Sequence, residues 1–263
     1  MGENFEGDDI VMDPFVQLLI YNIITLTLTV FLLVQSKRKI TDDRKKDLVL
    51  KITSVIVVVI HYSSLYIEFF SNSGDAMIDD TMILPVYPCN IVMWLLLIVS
   101  FMKNKETSLY KHLSEFTFIG GTFCGVIGVL FNINFLNNPN FLDYYILKGL
   151  LSHTVMIFGT IYLYLSGYVK IEVKRTFKSI VIGLLIFSIL GLMVNVLYAI
   201  FDIPSVNAMF MLEPPLKEFP ILNFFTIGIL GLSLSFIGLN IYECFALPKE
   251  ERWLTQYKNR RRK

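Results

Sequence analysis

Apolar residues fall in seven long runs, at approximately Phe15 to Val34, Leu48 to Phe70, Met82 to Phe101, Tyr110 to Phe131, Tyr145 to Tyr168, Ser179 to Phe201 and Ile221 to Phe245. Each run is long enough to cross a bilayer as a helix, because ~20 residues at ~1.5 Å rise match a hydrocarbon core of ~30 Å. Two features interrupt the pattern. Pro85 and Pro88 fall inside the third run and forbid a regular helix before Pro88, which suits the first position of a new one. In the fourth run Gly120, Gly121, Gly125 and Gly128 recur at helical spacing, with Gly121 and Gly125 forming a GxxxG pair suited to close helix packing. The Asn-rich connection from Asn132 to Asp143 is expected to be irregular.

The expected fold is therefore all-α, a polytopic membrane bundle of seven transmembrane helices. Composition agrees, since 54% of residues are hydrophobic and only 17% charged. A net charge of +1 offers no case for nucleic acid.

Charge then orients the bundle. Basic residues gather in the first connection (Lys37, Arg38, Lys39, Arg44, Lys45, Lys46), the third (Lys103, Lys105) and the fifth (Lys170, Lys174, Arg175, Lys178). Those gaps are expected to be cytoplasmic. The opposite set carries Asp75, Asp79, Asp80, Asp202, Glu213 and Glu218, with Lys148 and Lys217 as its cations. The N-terminus is thus expected outside and the C-terminus inside a cell membrane. Three parts follow: an acidic extracytoplasmic tail at 1–14 with no signal-peptide character, a transmembrane domain at 15–247, and a basic cytoplasmic tail at 248–263. The five basic residues from Lys258 to Lys263 would attract anionic lipid.

No nucleotide loop, zincin, hydrolase-elbow or paired-cysteine motif occurs, and neither a metal nor a soluble cofactor is expected. Candidate chemistry comes instead from polar residues at one depth. Counting ~1.5 Å per residue from the outer ends, Asn195 lies ~9 Å deep, Cys89 ~10 Å, His153 ~12 Å and His61 ~13 Å. Polar groups at such depth are costly unless they face a cavity or a partner, and Glu68 extends the layer outward. Cys124 and Cys244 are expected to be ordinary packing residues. Cys89 differs because Pro88 would place it in the first turn of a helix, where unpaired amides favour a thiolate and can bind an oxyanion. His153 supplies an imidazole to take the thiol proton and later return it. Asn90, Asn195 and Glu68 are all candidates to orient that ring. Two other readings use the same residues: a transporter or ligand-binding protein without covalent chemistry, and a metal site of His61, His153 and Cys89.

The segment Leu84-Pro85-Val86-Tyr87-Pro88-Cys89, the pair Tyr144-Tyr145 before His153, and Asn207-Ala208-Met209-Phe210 followed by Pro214-Pro215 together resemble the YwaF-like integral membrane family, which includes the eukaryotic transmembrane protein 164. The likeness spans roughly residues 15 to 245. It implies a membrane acyltransferase that moves a fatty acyl chain between phospholipids through a Cys and a His, matched here by Cys89 and His153. Phospholipid and lysophospholipid would be its substrates. The chain departs from the family pattern at Tyr87 and Asn90, where the bacterial and eukaryotic branches respectively carry His. The orientation is testable: a cysteine introduced near Asp75 should react with an impermeant maleimide outside intact cells and one near Lys45 should not, and the reverse labelling would invert the bundle.

Overall fold

A computed structural model describes residues 13–70, 86–201, 207–214, 220–221 and 223–261. All regular structure among them is helical. In order these are α1 (Pro14–Lys39), α2 (Asp43–Phe70), α3 (Pro88–Phe101), α4 (Ser108–Leu130), α5 (Ile133–Asn137), α6 (Tyr144–Leu165), α7 (Val173–Ile200), a 3-10 turn (Ala208–Phe210), α8 (Phe224–Ala246) and α9 (Trp253–Arg261).

Local chemistry sets the helix starts. Asp13 caps α1 by accepting the amides of Phe15 and Val16, and Pro14 follows it. Asp143 caps α6 through the amides of Tyr145 and Ile146. Asn223 and Thr226 form a reciprocal capping box at α8. Each cap satisfies amides that the helix itself leaves open, a need sharpened near lipid, where no water substitutes.

Among the described residues six helices are long and apolar enough to cross a membrane, and the chain is an integral membrane protein. The third expected span differs: α3 begins only at Pro88 and has 14 residues, too short to cross alone at ~1.5 Å each. Proline explains its start, and the first part of the expected run lies outside the described residues. The 132–143 connection is also more ordered than expected, because the Asn132 side chain accepts the Phe135 amide and starts the five-residue α5.

α6 is the centre of the bundle. Over its apolar window 56% of residues are buried, against 6% for α8, and it packs on α1, α2, α3 and α4. Glycines bring those neighbours close. A methyl carbon placed on Gly121 would lie 2.4 Å from Thr160 Cγ2, and one on Gly125 would lie 2.6 Å from Ile157 Cγ1, so α4 meets α6 at backbone distance. On the other side Gly159 of α6 faces Leu96 of α3 and Thr53 of α2, with methyl separations of 2.8 and 3.0 Å. Polar contacts lock the same joints: Thr122 pairs with Thr160 at 3.1 Å, Lys148 Nζ donates to Ser64 Oγ at 3.0 Å, and the Tyr144 and Ser63 hydroxyls are hydrogen-bonded.

α7 is held to α4 by a second device. Glu115, 1% exposed, receives Arg175 Nη2 at 2.7 Å and Ser179 Oγ at 2.9 Å, and His112 Nδ1 pairs with the same hydroxyl at 2.7 Å. Removing one member of such a buried pair would strand the other charge.

Not every glycine in the stripe matters equally. A methyl on Gly120 would meet Phe116 and Val92 at ordinary contact, 3.6 and 3.7 Å. Gly121→Ala should therefore destabilise the protein by ~1–3 kcal/mol through overpacking, and Gly120→Ala by less than ~0.5 kcal/mol. Equilibrium unfolding in mixed micelles measures both, and equal effects would refute the packing assignment.

Candidate functional site

Four of the expected residues converge. His61 from α2, Cys89 and Asn90 from α3, and His153 from α6 line one cavity, together with Val57, Met93, Ser152 and Met156. Its volume is about 10 Å³, room for roughly one water molecule.

Cys89 sits where the proline placed it. Tyr87 is the cap residue of α3 and Pro88 its first position, so Cys89 lies in the first turn. The thiol donates to Asn90 Oδ1 at 3.5 Å. The amides of Asn90 and Ile91, expected to be open to an oxyanion, both donate to the Tyr87 carbonyl, at 3.0 and 3.4 Å. Trp94 Nε1 donates to Tyr62 Oη at 2.9 Å and fixes the height of α3 against α2.

The Nδ1 side of His153 is held by a backbone group and not by a side chain. Its Nδ1 lies 2.8 Å from the carbonyl oxygen of Gly149, one turn earlier in α6. A carbonyl can only accept, so Nδ1 carries the proton and Nε2 of the neutral ring keeps its lone pair. The ring lies flat over Gly128: a methyl there would stand 2.3 Å from Cδ2 and 2.4 Å from Nε2. The glycine stripe therefore seats the imidazole as well as packing the helix.

His61 is the second imidazole at the cavity, edge-on to Tyr62 with centroids 5.0 Å apart. Its Nε2 is buried and has no hydrogen-bond partner among the described residues. Lys148, one turn before Ser152 on α6, anchors the neighbouring α2 contact described above.

The remaining candidates are placed elsewhere. Asn195 does not line the cavity; its amide donates to the Ala208 carbonyl at 3.2 Å and its oxygen accepts the Ala208 amide at 2.8 Å. Asn207 accepts the amides of Leu212 and Glu213 at 2.9 and 3.0 Å and donates to the Glu213 carbonyl at 2.9 Å. Both asparagines thus shape the 207–214 segment, in which Asn207, Met209 and Phe210 have positive φ of 36°, 57° and 57°. That segment reaches the site from behind. The Met209 amide donates to the Val86 carbonyl at 2.9 Å, and Phe210 stacks on Tyr87 at 5.2 Å, clamping the residues that lead into Pro88 and Cys89. Tyr87 is accordingly part of the clamp and does not line the cavity. The Glu68 side chain lies outside the described residues. Of the other thiols, Cys124 packs in the main core and Cys244 is exposed. Among the described residues no group of three His, Cys, Asp or Glu side chains is arranged to hold a metal ion.

The model of the TMEM164 family matches residues 13–241. The chain belongs to that family. The match takes in α1 to α7 and most of α8, so every residue of the cavity lies inside the region shared with TMEM164 proteins. No curated protein and no solved structure matches the chain.

Several contributors to the site had no signal that a search for reactive residues would find. Gly149 acts through its backbone, and Met93 and Met156 are apolar residues in apolar runs. Gly128 was visible as part of the small-residue stripe, and Ser152 as the neighbour of His153.

Proposed function

We propose that the protein is an integral membrane acyltransferase that moves a fatty acyl chain from a phospholipid to a lysophospholipid through a thioester on Cys89. The observation that carries this reading is the pairing, in one cavity, of a cysteine at a helix start with an imidazole whose Nδ1 is held by the Gly149 carbonyl, which leaves Nε2 of the neutral ring as the base.

Chemistry follows from those two groups. His153 Nε2 takes the Cys89 proton as the sulfur attacks the ester carbonyl. The carbon–oxygen bond of the ester breaks, and the imidazolium returns the proton to the departing lysolipid oxygen. In the second half the hydroxyl of an acceptor lysolipid gives its proton to Nε2 and attacks the thioester; the carbon–sulfur bond breaks, and the thiolate recovers the proton. No metal or soluble cofactor takes part. Room for the acyl ester must be made, since the cavity holds only about one water molecule. Met93 and Met156 border it and are unbranched and adaptable, so they are the side chains expected to swing aside. Membership of the TMEM164 family supports a membrane-embedded role, and the reactive layer facing the outer leaflet belongs to this proposal.

The test uses purified protein with phospholipid radiolabelled in its acyl chains. Wild type should acquire hydroxylamine-labile label at Cys89 and transfer it to added lysolipid. Cys89→Ala should lose both, and His153→Gln should slow transfer by ~10²–10⁴-fold. Full labelling in Cys89→Ala would refute the thioester, and flux of a small ligand that survives that substitution would favour a carrier.

A further inference from the structure

A second cavity among the described residues is larger than the one at Cys89. It measures about 310 Å³ and lies at the face that carries the basic connections, lined by Lys37, Tyr164, Leu165, Gly167, Val169, Lys170, Ile171 and Tyr242. Ligand cavities begin at about this size, ~300 Å³. Four chain segments meet there: the last turn of α1, the end of α6, the linker from α6 to α7, and α8.

Its chemistry has one sign. Two ammonium groups and two phenols line it, and no carboxylate does. Neither Lys37 nor Lys170 is in an ion pair among the described residues; Glu172 pairs with Arg175, and Glu106 pairs with Lys111 while also lying within electrostatic reach of Lys170. The phenols are positioned rather than loose. Tyr164 stacks on Phe118 with centroids 5.4 Å apart, and its hydroxyl meets that of Tyr242 at 3.5 Å, linking α6 to α8. The linker keeps the wall open. Gly167 adopts φ 85° at the end of α6, where the Tyr168 amide returns to the Leu163 carbonyl at 3.1 Å, and nothing lies within 4 Å of where its side chain would be. A positive φ of this kind favours glycine.

Level and lining together select the ligand. Lys37 lies in the last turn of α1 and Lys170 in the linker that joins α6 to α7, the level at which lipid headgroups sit, while Leu165, Val169 and Ile171 supply an apolar side for the glycerol and upper acyl carbons. We propose that this cavity binds the phosphate of an anionic phospholipid, held by Lys37 and Lys170 and by a hydrogen bond from Tyr242, whose hydroxyl accepts from Tyr164. The site is separate from the Cys89 cavity and independent of its chemistry. A lipid there would also bridge α8, the least buried span, to α1 and α6.

The experiment uses the full chain in phosphatidylcholine nanodiscs, with phosphatidylglycerol as the probe and native mass spectrometry to count retained lipid. The tested variant is Lys37→Gln with Lys170→Gln; the control, Arg38→Gln with Lys39→Gln, removes the same charge from residues that do not line the cavity. Wild type and control should retain one tightly held phosphatidylglycerol. The tested variant should bind it about 30-fold more weakly, the combined effect of two phosphate-facing lysines. Unfolding temperatures in phosphatidylcholine alone should match, since both lysines are exposed. Equal retention by the tested variant, or equal loss in the control, would overturn the site. Displacement of the lipid by millimolar inorganic phosphate would overturn the lipid as its ligand.

Discussion

Close approach of α4 to α6 is the constraint on which the rest of the structure depends. In lipid there is little hydrophobic force to drive one apolar helix against another, so association rests on packing and interhelical hydrogen bonds. Gly121 and Gly125 remove the side chains that would hold the two backbones apart, and Thr122 and Thr160 add a polar lock at the same contact. With α6 fixed in the centre, α2 and α3 close on its other side at Gly159. The same stripe ends at Gly128, whose missing side chain is the space the His153 ring occupies. One packing device therefore builds the bundle and seats the residue on which the proposed chemistry turns.

The opposite wall of the site is made differently. Pro88 fixes where α3 starts, and the 207–214 segment, shaped by Asn195 and Asn207, holds Val86 and Tyr87 just before it. Cys89 is thus placed by backbone constraint, while His153 is placed by helix packing and its own Gly149 hydrogen bond. Neither depends on α8, which touches the bundle mainly through α7 and the tyrosine pair at the far face. That separation is why a lipid at the basic face could strengthen the bundle without reaching the thiol.

How much of this the sequence revealed follows from what each signal measures. Length and hydropathy set the helical class and six of the spans, and the proline pair marked both the late start of α3 and the position of Cys89. Counting residues from an interface gives depth but not direction. It matched His61, Cys89 and His153, which do share a cavity, and equally matched Asn195, which turns toward the Ala208 backbone instead. Sequence points only to side-chain partners for His153, and the structure supplies a carbonyl, which no residue type announces. Asn207 stood out by family pattern, yet its role is to shape a loop with three positive φ values, a conformation that its neighbours Met209 and Phe210 give no hint of adopting.

The central claim is that Cys89 and the side chain at position 153 face each other across one small cavity. Mercuric ion tests it directly, because an ion held by two thiolates resists a competing monothiol that strips it from one. In a background of Cys124→Ser and Cys244→Ser, His153→Cys should give a protein that keeps one mercuric ion under excess glutathione. The matched control is Leu151→Cys, two residues away on α6 at a side chain 39% exposed, and it should lose the ion. Loss of mercury from the position-153 protein, at the rate seen in the control, would contradict the account.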